Sequence, residues 1–158
     1  VGGMLALPTM SVYSASKFAL EGASEGLWYE LRPWNIHVSL VQPGFINSDG
    51  FEHVRLTPRG RIASERNDAD YHAHYEHMGD FVSKYMRRTN ATSESVANKI
   101  FDTIRADKPP LRVPATIDAR LFSLLRRVLP RRIYHSFLYR CLPKIAKWGR
   151  GKNQPGGS

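Results

Sequence analysis

Tyr13 and Lys17 stand four positions apart in the run YSASK, a phenol and an ammonium within a stretch of helical pattern. On a helix, residues i and i+4 share one face, so the two side chains meet. A free phenol has a pKa of about 10 and is a poor proton donor or acceptor at neutral pH, whereas a cation within ~4–6 Å favours its ionised form. Such a pair suits acid/base work on a substrate oxygen. The spacing alone also describes any exposed Tyr and Lys on a solvated helix, so the surrounding elements must decide between the two.

Leu20, Ala23, Leu27 and Leu31 follow the helical period, which predicts a helix over 11–31 that carries the pair and stops before Pro33. Residues 36–42 (IHVSLVQ) read as a short buried strand closed by the turn Pro43-Gly44. From Phe45 to Asn90 the pattern loosens and becomes rich in Arg, His and Asp, with helix expected over 71–88. Thr92 is placed to cap a helix over 93–106 whose Val96, Ile100, Phe101 and Ile104 share a face. Lys108-Pro109-Pro110 ends it, and a second short strand is expected at 111–113. Two amphipathic segments broken by Pro130 and Pro143 follow. The stretch 149–158 is too poor in apolar residues to fold.

The chain of 158 residues is 42% hydrophobic, enough for one domain with a core. Its one cysteine, Cys141, excludes a disulfide framework and a multi-cysteine zinc site, fits a reducing compartment and reads as a packed thiol. The net charge of +9 is segregated: 13 bases face 14 acids through Asp118, and ten bases stand against no acid from Ala119 onward. His72, His74 and His77 lie near Asp68 and Asp70, but on a helix His72 points away from the other two, so a polar lid is the better reading and no metal is expected. Asn90-Ala91-Thr92 fits the glycosylation pattern and is read instead as a helix start. No apolar run approaches the ~20 residues of a spanning helix.

Around the pair, the run MSVYSASKFALEGASEGLWYELRPWNIHVSLVQPGFINSD closely resembles the short-chain dehydrogenase/reductase family. The helix from Ser93, the turn ADKPPLRVP and the tail are similar to its 17β-hydroxysteroid and retinol dehydrogenase branch. The resemblance implies a partial Rossmann-type α/β fold, a doubly wound parallel sheet, over 1–118, with a substrate lid within 45–90. It implies NAD(P)-dependent hydride transfer between cofactor and a secondary or lipophilic alcohol or ketone, with NAD or NADP as cofactor. Tyr13 would give or take the substrate proton. Lys17 would favour the phenolate and bond the cofactor ribose. Pro43, Gly44 and the backbone of Ile46 would border the nicotinamide, and Ser48, where many members have threonine, would approach the cofactor's amide or phosphates.

The family's catalytic serine lies about thirteen residues before its tyrosine, and counting back from Tyr13 arrives one position before Val1. The glycine-rich turn for the pyrophosphate and the strand bearing Asn-Ala-Gly are also outside this sequence, which therefore reads as the C-terminal portion of such an enzyme. Leu20, Leu27 and Trp28 of the long helix would then be exposed or recruit a second copy. The segment 119–148 carries two apolar stripes, Leu121, Leu124, Leu125, Val128 and then Tyr134, Phe137, Leu138, Cys141, among arginines. It would either lie on an anionic membrane surface or pack on the body or on another subunit. No nucleic-acid-binding motif accompanies the charge. The expected location is cytoplasmic, peripheral to a membrane. The alternative reading is a noncatalytic fragment that acts as a membrane-surface or association module.

Overall fold

The computed structural model describes residues 2–48 and 54–149. α1 (Ser11–Leu31) opens the chain and is followed by a 3-10 turn at Arg32–Trp34. Asn35 closes that turn in the left-handed region (φ 56°), donating its N–H to the Arg32 carbonyl. Asparagine tolerates this conformation better than other side-chain-bearing residues, and it turns the chain back from α1 toward the sheet.

β1 (Leu40–Gln42) pairs in parallel with β2 (Arg112–Pro114), in the register Leu40 to Arg112, Val41 to Val113 and Gln42 to Pro114. Parallel neighbours need a long crossover, and here it contains α2 (Pro58–Glu65), α3 (His72–Arg88) and α4 (Ser93–Arg105). α5 (Ile117–Val128) and α6 (Arg131–Cys141) follow β2. The fold is α/β, a small parallel sheet with helices around it, consistent with part of a Rossmann-type domain.

The strand expected over 36–42 is realised only in its last three residues. A strand extends as far as it has a partner, and the partner here is three residues long. α4 matches its expectation, closed at the N-terminus by a capping box in which Thr92 and Ser95 satisfy each other's backbone N–H groups. α2 is an addition. Thr57 accepts from the Gly60 N–H and Pro58 occupies the first turn, a start signal present in the sequence.

Among the described residues, Met4, Leu5, Met78, Val82, Val113, Ala119 and Tyr134 are the buried apolar ones. Against them stand many exposed ones. Leu20 and Leu27 of α1 are exposed, as expected, whereas Trp28, expected with them, is half-buried with the Arg32 guanidinium over its ring; Ile100, Phe101 and Ile104 of α4, which has no buried residue at all, are exposed too. Cys141, expected to be packed, is exposed at the last position of α6, where the helix ends against solvent.

Candidate active site

Tyr13 and Lys17 project together from the first two turns of α1. Lys17 Nζ lies 5.4 Å from the centroid of the Tyr13 ring, within reach of a cation–π attraction. Tyr13 is 55% exposed, and the same turn buries only the small Ser14, so the phenol is open to a ligand while its backbone is packed. The chain before the helix passes directly over the pair: a Cβ at Gly2 would stand 2.7 Å from Tyr13 Cε1 and 3.3 Å from Lys17 Cγ. A larger residue at this position would push the Tyr13 ring aside. Sequence reasoning gave Gly2-Gly3 no role here; two glycines shortly before the helix were the available signal.

The loop after β1 is built differently. Gly44 donates its N–H to Thr116 Oγ1 and Phe45 donates to Asp118 Oδ2, each at 2.8 Å. Thr116 is the N-cap of α5 and also accepts from the Ala119 N–H, and Asp118 lies in the first turn of that helix. One helix start therefore fixes the turn through one hydroxyl and one carboxylate. A Cβ on Gly44 would fall on the Asp118 carboxylate. Ile46 follows half-buried, and Asn47 donates to the Ala91 carbonyl at 2.8 Å, so the run through Ser48 is also tied to the start of α4. Thr116 and Asp118 were not among the expected site residues, because nothing local marks a contact across 70 positions.

Between the two parts runs a polar bridge. Gln42, the last residue of β1, donates to Glu21 Oε1 at 2.5 Å, one turn beyond Lys17. Arg112 of β2 donates to Glu21 at 2.9 Å and to Glu25 at 2.5 Å. The Arg112 guanidinium, by hydrogen bond and charge, holds the Glu25 carboxyl below the usual carboxylate range, and the two carboxylates raise Arg112 in turn. The structure thus brings Tyr13 and Lys17 together, and separately fixes Pro43, Gly44, Ile46 and Ser48. The bridge connects the neighbours of each set and not the sets themselves. A cavity of about 310 Å³ opens beside it, lined by Gly3, Phe18, Glu21, Gln42, Arg112 and Arg126 among others. None of the six expected site residues is among the described residues lining it.

The expected lid contains α2 and α3, and residues 49–53 of it lie outside the described residues. Phe45 reaches into it, its ring 5.6 Å from that of Tyr85. His77 is buried with Nδ1 3.8 Å from the Glu76 carboxylate, while the His74 ring makes tilted contacts with those of Tyr71 and Trp148, centroids 4.8 and 4.6 Å away. Among the described residues no group of three or more His, Cys, Asp or Glu is placed to hold a metal ion.

Residues 1–59 match the family model of short chain dehydrogenase. The chain is 36% identical to human 17-beta-hydroxysteroid dehydrogenase type 1 over 126 residues, which is 80% of this chain and 37% of that protein. It is 30% identical to an uncharacterized oxidoreductase of Escherichia coli over 138 residues, 87% of this chain and 45% of the relative. A 3-ketodihydrosphingosine reductase of Bacteroides thetaiotaomicron is 52% identical over 55 residues, 35% of this chain and 20% of the relative. The chain spans less than half the length of these curated relatives.

Proposed function

We propose, from the premise that this chain belongs to the short-chain dehydrogenase/reductase family, that it is the part of an NAD(P)-dependent oxidoreductase that handles the proton of a lipophilic alcohol or ketone. The observation that carries the reading is the pairing of an accessible Tyr13 phenol with the Lys17 ammonium on one face of α1. Relatives named for a hydroxysteroid and for a keto-sphingoid base support a bulky apolar substrate class.

When bound, NAD or NADP supplies or accepts the hydride. The donor set suits the cofactor's ribose: Lys17 offers three N–H donors beside a hydroxyl that both donates and accepts. Gly44 and Phe45 spend their amides on Thr116 and Asp118, so Pro43 and Gly44 would border the nicotinamide by packing, with the main chain of Ile46 and the hydroxyl of Ser48 left for polar contact. Tyr13 would protonate the carbonyl oxygen on reduction and take the alcohol proton on oxidation. A second copy would cover Leu20 and Leu27 of α1. No described helix is long and apolar enough to cross a membrane, and a lipophilic substrate gives peripheral membrane contact through the tail a use.

The test is a fluorescence titration of NADH and NADPH into the chain and its Lys17→Ala variant. Saturable binding weakened at least tenfold in the variant is the expected result. Equal binding by both would remove Lys17 from the cofactor site, and no binding by either would overturn the reading for this chain.

A further inference from the structure

We infer that the outward face of α5 and α6 is a docking surface for an anionic lipid bilayer. An amphipathic helix on a folded body ordinarily turns its apolar stripe inward. α5 does the reverse. Ala119, fully buried, and Arg126 face the body; Arg126 lies 4.8 Å over the Phe18 ring and donates to the Met4 carbonyl. Ile117, Leu121, Leu124 and Val128, spaced for one helix face, point away and are 51–85% exposed. Arg120 and Arg127 flank this stripe along one side, and Arg127, the further round of the two, also lines the cavity beside Glu21.

α6 repeats the arrangement on a smaller scale. Tyr134 is buried, while Ile133 and Phe137 are exposed and share an open groove of about 440 Å³ with Arg132, Ser136 and Arg140. Large aliphatic and aromatic side chains edged by guanidiniums match an acyl surface beneath phosphate headgroups. Charge decides among occupants. From Ala119 onward the chain holds ten bases and no acid, so a second copy seated on this face would set arginine against arginine. An anionic leaflet attracts the same charges.

The inference carries further the peripheral contact proposed above, but its readout needs no cofactor, so its failure and that of the nicotinamide titration are separate results. The full chain is sedimented with vesicles of phosphatidylcholine alone and with about one third phosphatidylserine, beside Leu121→Glu/Leu124→Glu and Arg120→Gln/Arg127→Gln variants. All four positions are exposed, and circular dichroism checks that the variants fold. Selective binding to the anionic vesicles is expected, weakened about fivefold for each arginine neutralised and by more than that in the glutamate variant. Equal binding to neutral and anionic vesicles, or equal binding by wild type and both variants, would overturn the proposal. So would a wild-type dimer in sedimentation velocity that the glutamate variant alone dissociates without change in vesicle binding, since a second copy would then be the occupant.

Discussion

Tyr13 and Lys17 stand on an open helix face with the glycine backbone of the preceding loop across them, whereas Gly44 and Phe45 are clamped by two side chains from a helix start more than 70 positions away. One part of the candidate site is positioned locally, by helix geometry. The other is positioned globally, by the docking of α5. Reactive groups placed in the first way can be exchanged without disturbing the fold, while a loop placed in the second way answers to residues far from it in sequence.

The sharpest way to break this contrast is Tyr13→Phe. Under the proposed function, loss of its hydroxyl is expected to lower carbonyl reduction by about 10²–10⁴-fold, with stability unchanged within about 0.5 kcal/mol because no fold contact is removed. Paired turnover and urea-denaturation measurements check both halves. Gly44→Ala should act in the opposite sense, through stability. Its methyl displaces the Asp118 carboxylate from the Phe45 N–H, an overpacking cost of about 1–3 kcal/mol. Adding Asp118→Ala should recover part of that, a coupling a double-mutant cycle would detect. Thr116→Ala removes both the α5 cap and the acceptor for Gly44, with an expected loss of about 0.5–2 kcal/mol in denaturant titration.

The smallest effect concerns pH. Glu25 is held below its ordinary value by Arg112, so the bridge between α1 and β2 is complete above the unfolded carboxylate range and is lost as pH falls through the lowered folded value. Tyr134 shifts the other way. Burial raises it, so its contribution is whole below the ordinary phenol value of about 10 and is lost as pH rises through the folded one. Thermal melts from pH 3 to 11 on wild type and Glu25→Gln should show a flatter acid limb in the variant and an unchanged alkaline limb.

Sequence reached the locally determined part well. α1 and its Tyr13–Lys17 face, the Thr92 cap, α3 and the ends near Pro33 and Lys108 follow from period, capping and proline, all of which act within one or two turns. It reached the globally determined part poorly. The strand over 36–42 shrank to Leu40–Gln42 because its length depends on a partner. The roles of Thr116, Asp118 and Arg112 depend on what the chain brings beside them. The orientation of α5 was equally hidden. A helical wheel shows that a stripe exists and not which way it faces.

The parallel pairing of β1 and β2 also sets an order of events in time. The hydrogen bond from Ser39 Oγ to the Pro110 carbonyl joins residues 71 positions apart, and the register of the sheet needs a closure of the same span. Closing so long a loop costs entropy before any contact repays it, so helices such as α1 and α4 can form early while the sheet waits. During synthesis β1 emerges long before its partner, leaving its hydrogen-bonding edge bare until β2 arrives. The helix that clamps the Pro43-Gly44 turn is later still. Of the two parts of the candidate site, the Pro43-Gly44 turn is thus the later to take shape, and the Tyr13–Lys17 face is among the first elements of the chain to form.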